Sequence, residues 1–135
     1  MSIDRKTGGA SPPEREWCVC VAASVMEHVP RDVLAAWMAV ESYANPKGVC
    51  WPDNRALAKR MGVSSVASVQ RALLKLQEYG ILNRHERGGN RRTLTLLRRT
   101  RSPITAAEWA VLSERGESRQ EERVHPMNFL DRAPL

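Results

Sequence analysis

At 135 residues, with 42% apolar and 27% charged side chains, the chain has the composition of one globular domain, with or without tails, long enough to bury a core without disulfides. A multidomain enzyme, a collagen-like chain and an acidic solvating protein are excluded. The formal charge of +6 is concentrated: residues 1–53 hold 5 basic and 7 acidic side chains, residues 54–101 hold 12 basic and 2 acidic, and residues 102–135 hold 4 basic and 6 acidic. A block of +10 between two mildly acidic flanks is either a solvated basic face or a polyanion-binding surface, and nucleic acid is the commonest partner of such a surface.

In chain order, residues 1–13, with Gly8-Gly9 and Pro12-Pro13, predict a flexible tail leading to a helix start at Ser11. Trp17, Val21 and Val25 recur every four residues and predict a helix over 14–28, stopped by Pro30. A second helix is expected over 31–45 on the stripe Val33, Trp37, Val40 and Ala44, closed by the turn Asn45-Pro46-Lys47-Gly48. Val49 to Pro52 is extended, with Trp51 expected under the following helix. Asp53 caps a short third helix, Asn54 to Met61, with Leu57, Ala58 and Met61 inward, and Gly62 supplies a left-handed turn. Ser64 or Ser65 caps a fourth helix that runs to about Tyr79, with Val66, Val69, Leu73 and Leu76 on its inner face, and Gly80 ends it.

Ile81 to Glu86 and Arg92 to Leu97 read as two strands of a hairpin, joined by Arg87-Gly88-Gly89-Asn90. Thr105 and Glu108 form a capping box for a C-terminal helix in 102–116, which carries Trp109 and Leu112 and ends at Gly116. Residues 117–135 read as a disordered tail. Within that tail, Val124 to Leu130 places apolar residues in a polar segment, either as a docking site for a protein partner or as passive chain. The tryptophans are read as core, with Trp17 or Trp109 alternatively at a dimer interface.

The order of short helix, tight turn, longer helix and hairpin is that of a winged helix-turn-helix. The expected fold is therefore mainly α with a small β-hairpin: a winged helix-turn-helix over 14–101 with extra N- and C-terminal helices. The residues Trp51-Pro52, Leu57-Ala58, Gly62-Val63-Ser64 and Val69-Gln70-Arg71-Ala72-Leu73 carry a resemblance. In this pattern the chain resembles the winged-helix domains of phage and plasmid regulators and replication proteins. The resemblance implies a recognition helix at about 65–79 entering a major groove and a wing at 84–101 on the backbone. Ser64-Ser65-Val66-Ala67-Ser68 is one residue longer than the usual spacing before Val69, which shifts the start of that helix by about one position.

On the recognition helix the candidate DNA contacts are Ser64, Ser65, Ala67, Ser68, Gln70, Arg71 and Lys75. Arg71 and Gln70 carry donors suited to guanine and adenine edges, and serines near a helix start suit phosphate. Arg87, Asn90, Arg91, Arg92, Arg98 and Arg99 are the candidates on the wing, because the arginine fork binds phosphate bidentately. Arg55, Lys59 and Arg60 on the short helix are expected to add backbone contacts.

Cys18, Cys20 and Cys50 lack disulfide-framework spacing. Cys18-x-Cys20 with His28 is not read as a metal site, because residues two apart on a helix diverge; the cysteines are expected to be buried small hydrophobes. The longest apolar stretch, Trp17 to Met26, is about half of what a membrane helix needs, and the segment before it is unlike a signal peptide. The chain is expected to be cytoplasmic, to require no cofactor and to catalyse nothing, since no phosphate loop, nucleophile elbow or paired carboxylates appear. Three functions fit: a transcriptional regulator of a mobile element that binds double-stranded DNA as a homodimer; a phage or plasmid replication or recombination accessory protein that binds DNA and recruits a partner; and a protein-interaction module or inhibitor using the basic wing.

Overall fold

A computed structural model describes residues 18–88 and 91–132, with side chains through Arg119. The expectations for the 1–13 tail, Ser11, Trp17, Asn90 and the side chains of Val124 to Leu130 lie outside the described residues. The elements are α1 (Ala23–His28), α2 (Arg31–Tyr43), β1 (Val49–Cys50), α3 (Asn54–Met61), α4 (Val66–Glu78), β2 (Leu82–Glu86), β3 (Arg92–Leu96) and α5 (Ala106–Arg132). Among the described residues, no helix is long and apolar enough to cross a membrane.

The first helix is shorter than its periodicity suggests. Residues 18–22 are not helical, and α1 begins at Ala23. Their backbone is tied to a distant segment instead: the Ala22 N–H donates to the Thr100 carbonyl at 2.9 Å, and the Thr100 hydroxyl donates to the Cys20 carbonyl at 2.7 Å. Cys18 and Cys20 are both exposed free thiols, so the helical geometry that separated them in the sequence reading does not apply.

The core forms where α2, α3 and α4 meet the sheet. Trp37 is wholly buried at its centre with Val33, Val40, Leu57, Val69, Leu73, Leu76, Ile81 and Leu94, each such side chain contributing about 1.5–3 kcal/mol on burial. The Trp37 indole N–H is satisfied by the Arg98 carbonyl at 3.1 Å. Val66 departs from the expected inner face of α4. It is the first residue of the helix, one turn above the core, and is 41% exposed.

The expected hairpin is part of a three-stranded antiparallel sheet ordered β1-β3-β2. Val49 pairs with Thr95 and Cys50 with Leu94, while β2 runs from Leu82 opposite Leu96 to Glu86 opposite Arg92. Gly48 makes the third strand possible. Its φ is +84°, and a Cβ there would sit 2.9 Å from the Leu96 carbonyl oxygen; its own carbonyl accepts from the Leu96 N–H at 2.7 Å. Cys50 takes the inward position of β1, and burial pushes its thiol up to about 11.

α5 does not stop at Gly116 but continues to Arg132, so the expected disordered tail is helical through that residue. Gly116 is mid-helix for a packing reason: the Tyr79 ring occupies the space its Cβ would take. Tyr79 in turn meets Trp109 edge to face, with ring centroids 5.3 Å apart. This contact and buried Leu112 lay α5 across the C-terminal end of α4. The start of α5 is closed by the capping box, in which the Thr105 N–H donates to Glu108 at 2.8 Å and the Glu108 N–H donates to the Thr105 hydroxyl at 3.0 Å.

Candidate nucleic-acid interface

Two caps orient the helix-turn-helix. The Asp53 carboxylate accepts from the Ala56 N–H at 2.8 Å and opens α3, and Gly62, at φ +74°, closes it in the left-handed conformation. After one exposed serine, the Ser65 hydroxyl accepts from the Ser68 N–H at 3.3 Å, so α4 begins at Val66.

With Val69, Ala72, Leu73 and Leu76 buried, the opposite face of α4 presents Ala67, Gln70 and Arg71 to solvent. Arg71 is steadied by the Ser68 hydroxyl, which accepts from its guanidinium at 3.3 Å. Because α5 covers the other end, the first two turns of α4 are the part free to enter a groove. Lys75 is turned away to the start of α2, where it pairs with Asp32 at 3.2 Å. Partial burial raises the Asp32 carboxyl, but the hydrogen bond and charge of Lys75 outweigh that and hold it below its ordinary value.

The remaining basic residues divide into exposed and engaged groups. Arg55 and Lys59 on α3, and Arg87 and Arg91 at the wing, are exposed. Arg60 is exposed but braces α3 on α2: it donates to the Ser42 hydroxyl at 2.6 Å and lies over the Tyr43 ring at 4.3 Å. Arg92 is half-buried and donates to the Pro52 carbonyl at 3.0 Å, and burial pulls its pKa down. Arg98 pairs with Glu108 at 3.6 Å.

Arg99, expected on the wing, belongs to the scaffold. Its Nε donates to the Glu41 carboxylate at 2.7 Å, its Nη2 donates to the same oxygen, and its Nη1 donates to the Pro46 carbonyl at 3.1 Å. The other Glu41 oxygen accepts from the Thr100 N–H at 3.1 Å. Burial raises the Glu41 carboxyl, but the bonds from Arg99 and Thr100 outweigh it and hold the group below its ordinary value. Arg99 is raised by the same partnership. The β3–α5 connection is thereby clamped to the end of α2.

Two residues missed in the sequence reading stand beside the wing. Trp51, expected in the core, is 57% exposed. Arg84 on β2 is also exposed and pairs with Glu86 at 2.6 Å. The signal for Trp51 was available: in an extended segment neighbours point to opposite sides, and Cys50 is the small apolar residue suited to the inside.

Residues 34–82 match the family model of a helix-turn-helix domain. No curated protein and no solved structure matches the chain. The match begins within α2 and ends at the first residue of β2, so the wing is contributed by the structure. With the hairpin in place, the domain is a winged helix-turn-helix, a DNA-binding architecture.

Proposed function

We propose that this chain is a regulator that binds double-stranded DNA, with the first turns of α4 in the major groove and the wing along the neighbouring backbone. The observation that carries the reading is the exposed face of α4, where small Ala67 permits close approach and Gln70 and Arg71 supply base-reading donors. Arg87 and Arg91 at the wing, with Arg55 and Lys59 on α3, supply phosphate contacts. A homodimer that assembles through the flanking helices would read a site of dyad symmetry.

The test is selection of bound duplexes from a random pool, with the mass of the complex measured on the selected DNA. A dyad-symmetric site bound by two copies supports the regulator. A monomer with no preferred sequence overturns it, and absence of DNA binding even at low salt favours a protein partner for the basic surface.

A second reading, an accessory factor for replication or recombination, draws on α5. That helix continues to Arg132, and its C-terminal part is the segment suited to recruiting another protein. Deleting residues 120–135 should then abolish recruitment while sparing DNA binding.

A further inference from the structure

We propose that the cleft between Trp51 and the wing is a binding site for an unpaired nucleotide of a DNA strand, its base stacked on the Trp51 indole and its phosphates held by Arg87 and Arg91. The proposal rests on the DNA-binding reading above and adds a second strand state to it.

The cleft encloses about 460 Å³ between the start of α3 and the hairpin, and Trp51, Arg84, Arg87, Arg91 and Arg92 line it. That volume lies within the range of about 300–1,000 Å³ typical of small-ligand sites. The hairpin register explains why it is charged. Leu82 and Leu96 face each other over the core, Arg84 stands opposite Leu94, and Glu86 stands opposite Arg92. The same face of the ladder therefore turns from apolar to ionic as the hairpin extends past the core, and the 57% exposed Trp51 at the end of β1 lines the same cleft.

Both carboxylates of the cleft are already engaged. Asp53 accepts from the Ala56 N–H, and Glu86 pairs with Arg84. Arg92 is tethered to the Pro52 carbonyl. Arg87 and Arg91 are exposed and have no ionic partner among the described residues. The cleft thus joins an exposed tryptophan to two available guanidinium groups in one lining, the combination that holds a single strand: a ring for the base and cations for the backbone.

The strand state follows from the geometry of the ring. In a duplex the faces of the bases are covered by their neighbours, and only their edges are offered in the grooves. An exposed indole face gains stacking only from a base that has left the stack. The occupant that fits is the first unpaired residue of a single-stranded stretch adjoining the duplex on which α4 sits.

The experiment compares three fluorescently labelled DNAs by anisotropy: a blunt duplex, the same duplex with a short single-stranded tail, and the tailed duplex with every tail base removed to leave abasic sites. The two tailed DNAs carry the same phosphates and differ only in bases. Wild-type protein is expected to bind the intact tail about 5- to 100-fold more tightly than the abasic tail. Trp51→Ala should erase that ratio and Trp51→Phe should keep most of it. Equal affinity of the wild type for the two tails, with the blunt duplex still bound, overturns the proposal and leaves the duplex reading standing. A ratio that persists in Trp51→Ala overturns the assignment to this cleft. Failure to bind any of the three at low salt defeats both readings.

Discussion

Glu41 and Arg99 show how one residue's role depends on its partner. By composition Arg99 is one more wing arginine; in the fold it is the cation that satisfies a carboxylate at the end of α2. Glu41→Ala leaves that guanidinium half-sequestered and is expected to cost about 3 kcal/mol, read as a lowered urea midpoint. Because the Glu41 carboxyl is held below its ordinary 4.5 in the folded state, its contribution is fully present above that pH and is lost as pH falls through the folded value. Wild-type stability should therefore decline below about pH 4.5 more steeply than that of Glu41→Gln. Arg99→Ala should lower stability likewise while leaving the salt dependence of DNA binding unchanged. Gly116 gives an opposite-sign case. A glycine-to-alanine change in an exposed helix interior normally stabilises, but here the added Cβ meets the Tyr79 ring. Gly116→Ala is expected to destabilise by about 1–3 kcal/mol in thermal unfolding, and Tyr79→Ala in the same chain should relieve the clash.

At the scale of elements, the proposed function assigns reading to the recognition helix and holding to the wing. Arg71 lies on the exposed face of α4, so Arg71→Ala should alter sequence preference and cost about 1–3 kcal/mol on the preferred site if its contact is bidentate. Competition between the selected site and single-base variants measures this. Arg87→Ala combined with Arg91→Ala should instead weaken binding to all sequences alike and reduce the slope of log K against log salt by roughly one unit per lost phosphate contact. An unchanged slope removes the wing from the interface.

For the whole molecule, the central block of +10 overstates the charge available to a ligand. Arg99, Arg98, Arg92, Arg84 and Lys75 are engaged with groups of the protein itself, and Arg60 braces two helices. The exposed candidates left on α3, α4 and the hairpin are Arg55, Lys59, Arg71, Arg87 and Arg91, with exposed Arg101 beyond the hairpin. If Arg55, Lys59, Arg87 and Arg91 each meet one phosphate while Arg71 reads a base edge, the salt slope per bound copy is expected at about −3.6, and not the value of about −9 that ten available charges would give. Through Arg119, the buried and half-buried positions of α5 lie between Trp109 and Gly116. Truncation before Ile104, itself buried, should therefore unfold the domain, read as loss of the cooperative thermal transition.

The features legible in the sequence are those whose partners lie within a few residues. The Asp53 and Ser65 caps, the left-handed Gly62, the Thr105–Glu108 capping box and the buried stripe of α4 are local hydrogen-bonding and periodicity problems, and local composition solves them. The overall winged helix-turn-helix order followed from them. Other features depended on where distant segments meet. The extended start before α1 is held by a bond spanning 80 residues, and the Glu41–Arg99 clamp spans 58. Trp51 looked like core because tryptophan usually is; the inward turn of Cys50 and the pairing of β1 with β3 placed it outside. Gly116 looked like a helix stop until the Tyr79 ring occupied its open side. By itself the sequence determined the helix-turn-helix and hairpin elements, their order and the location of positive charge, since these depend on short-range chemistry. Only the tertiary structure decided which arginines remain exposed and where α5 lies, because each outcome depends on a partner that folding brings from far along the chain.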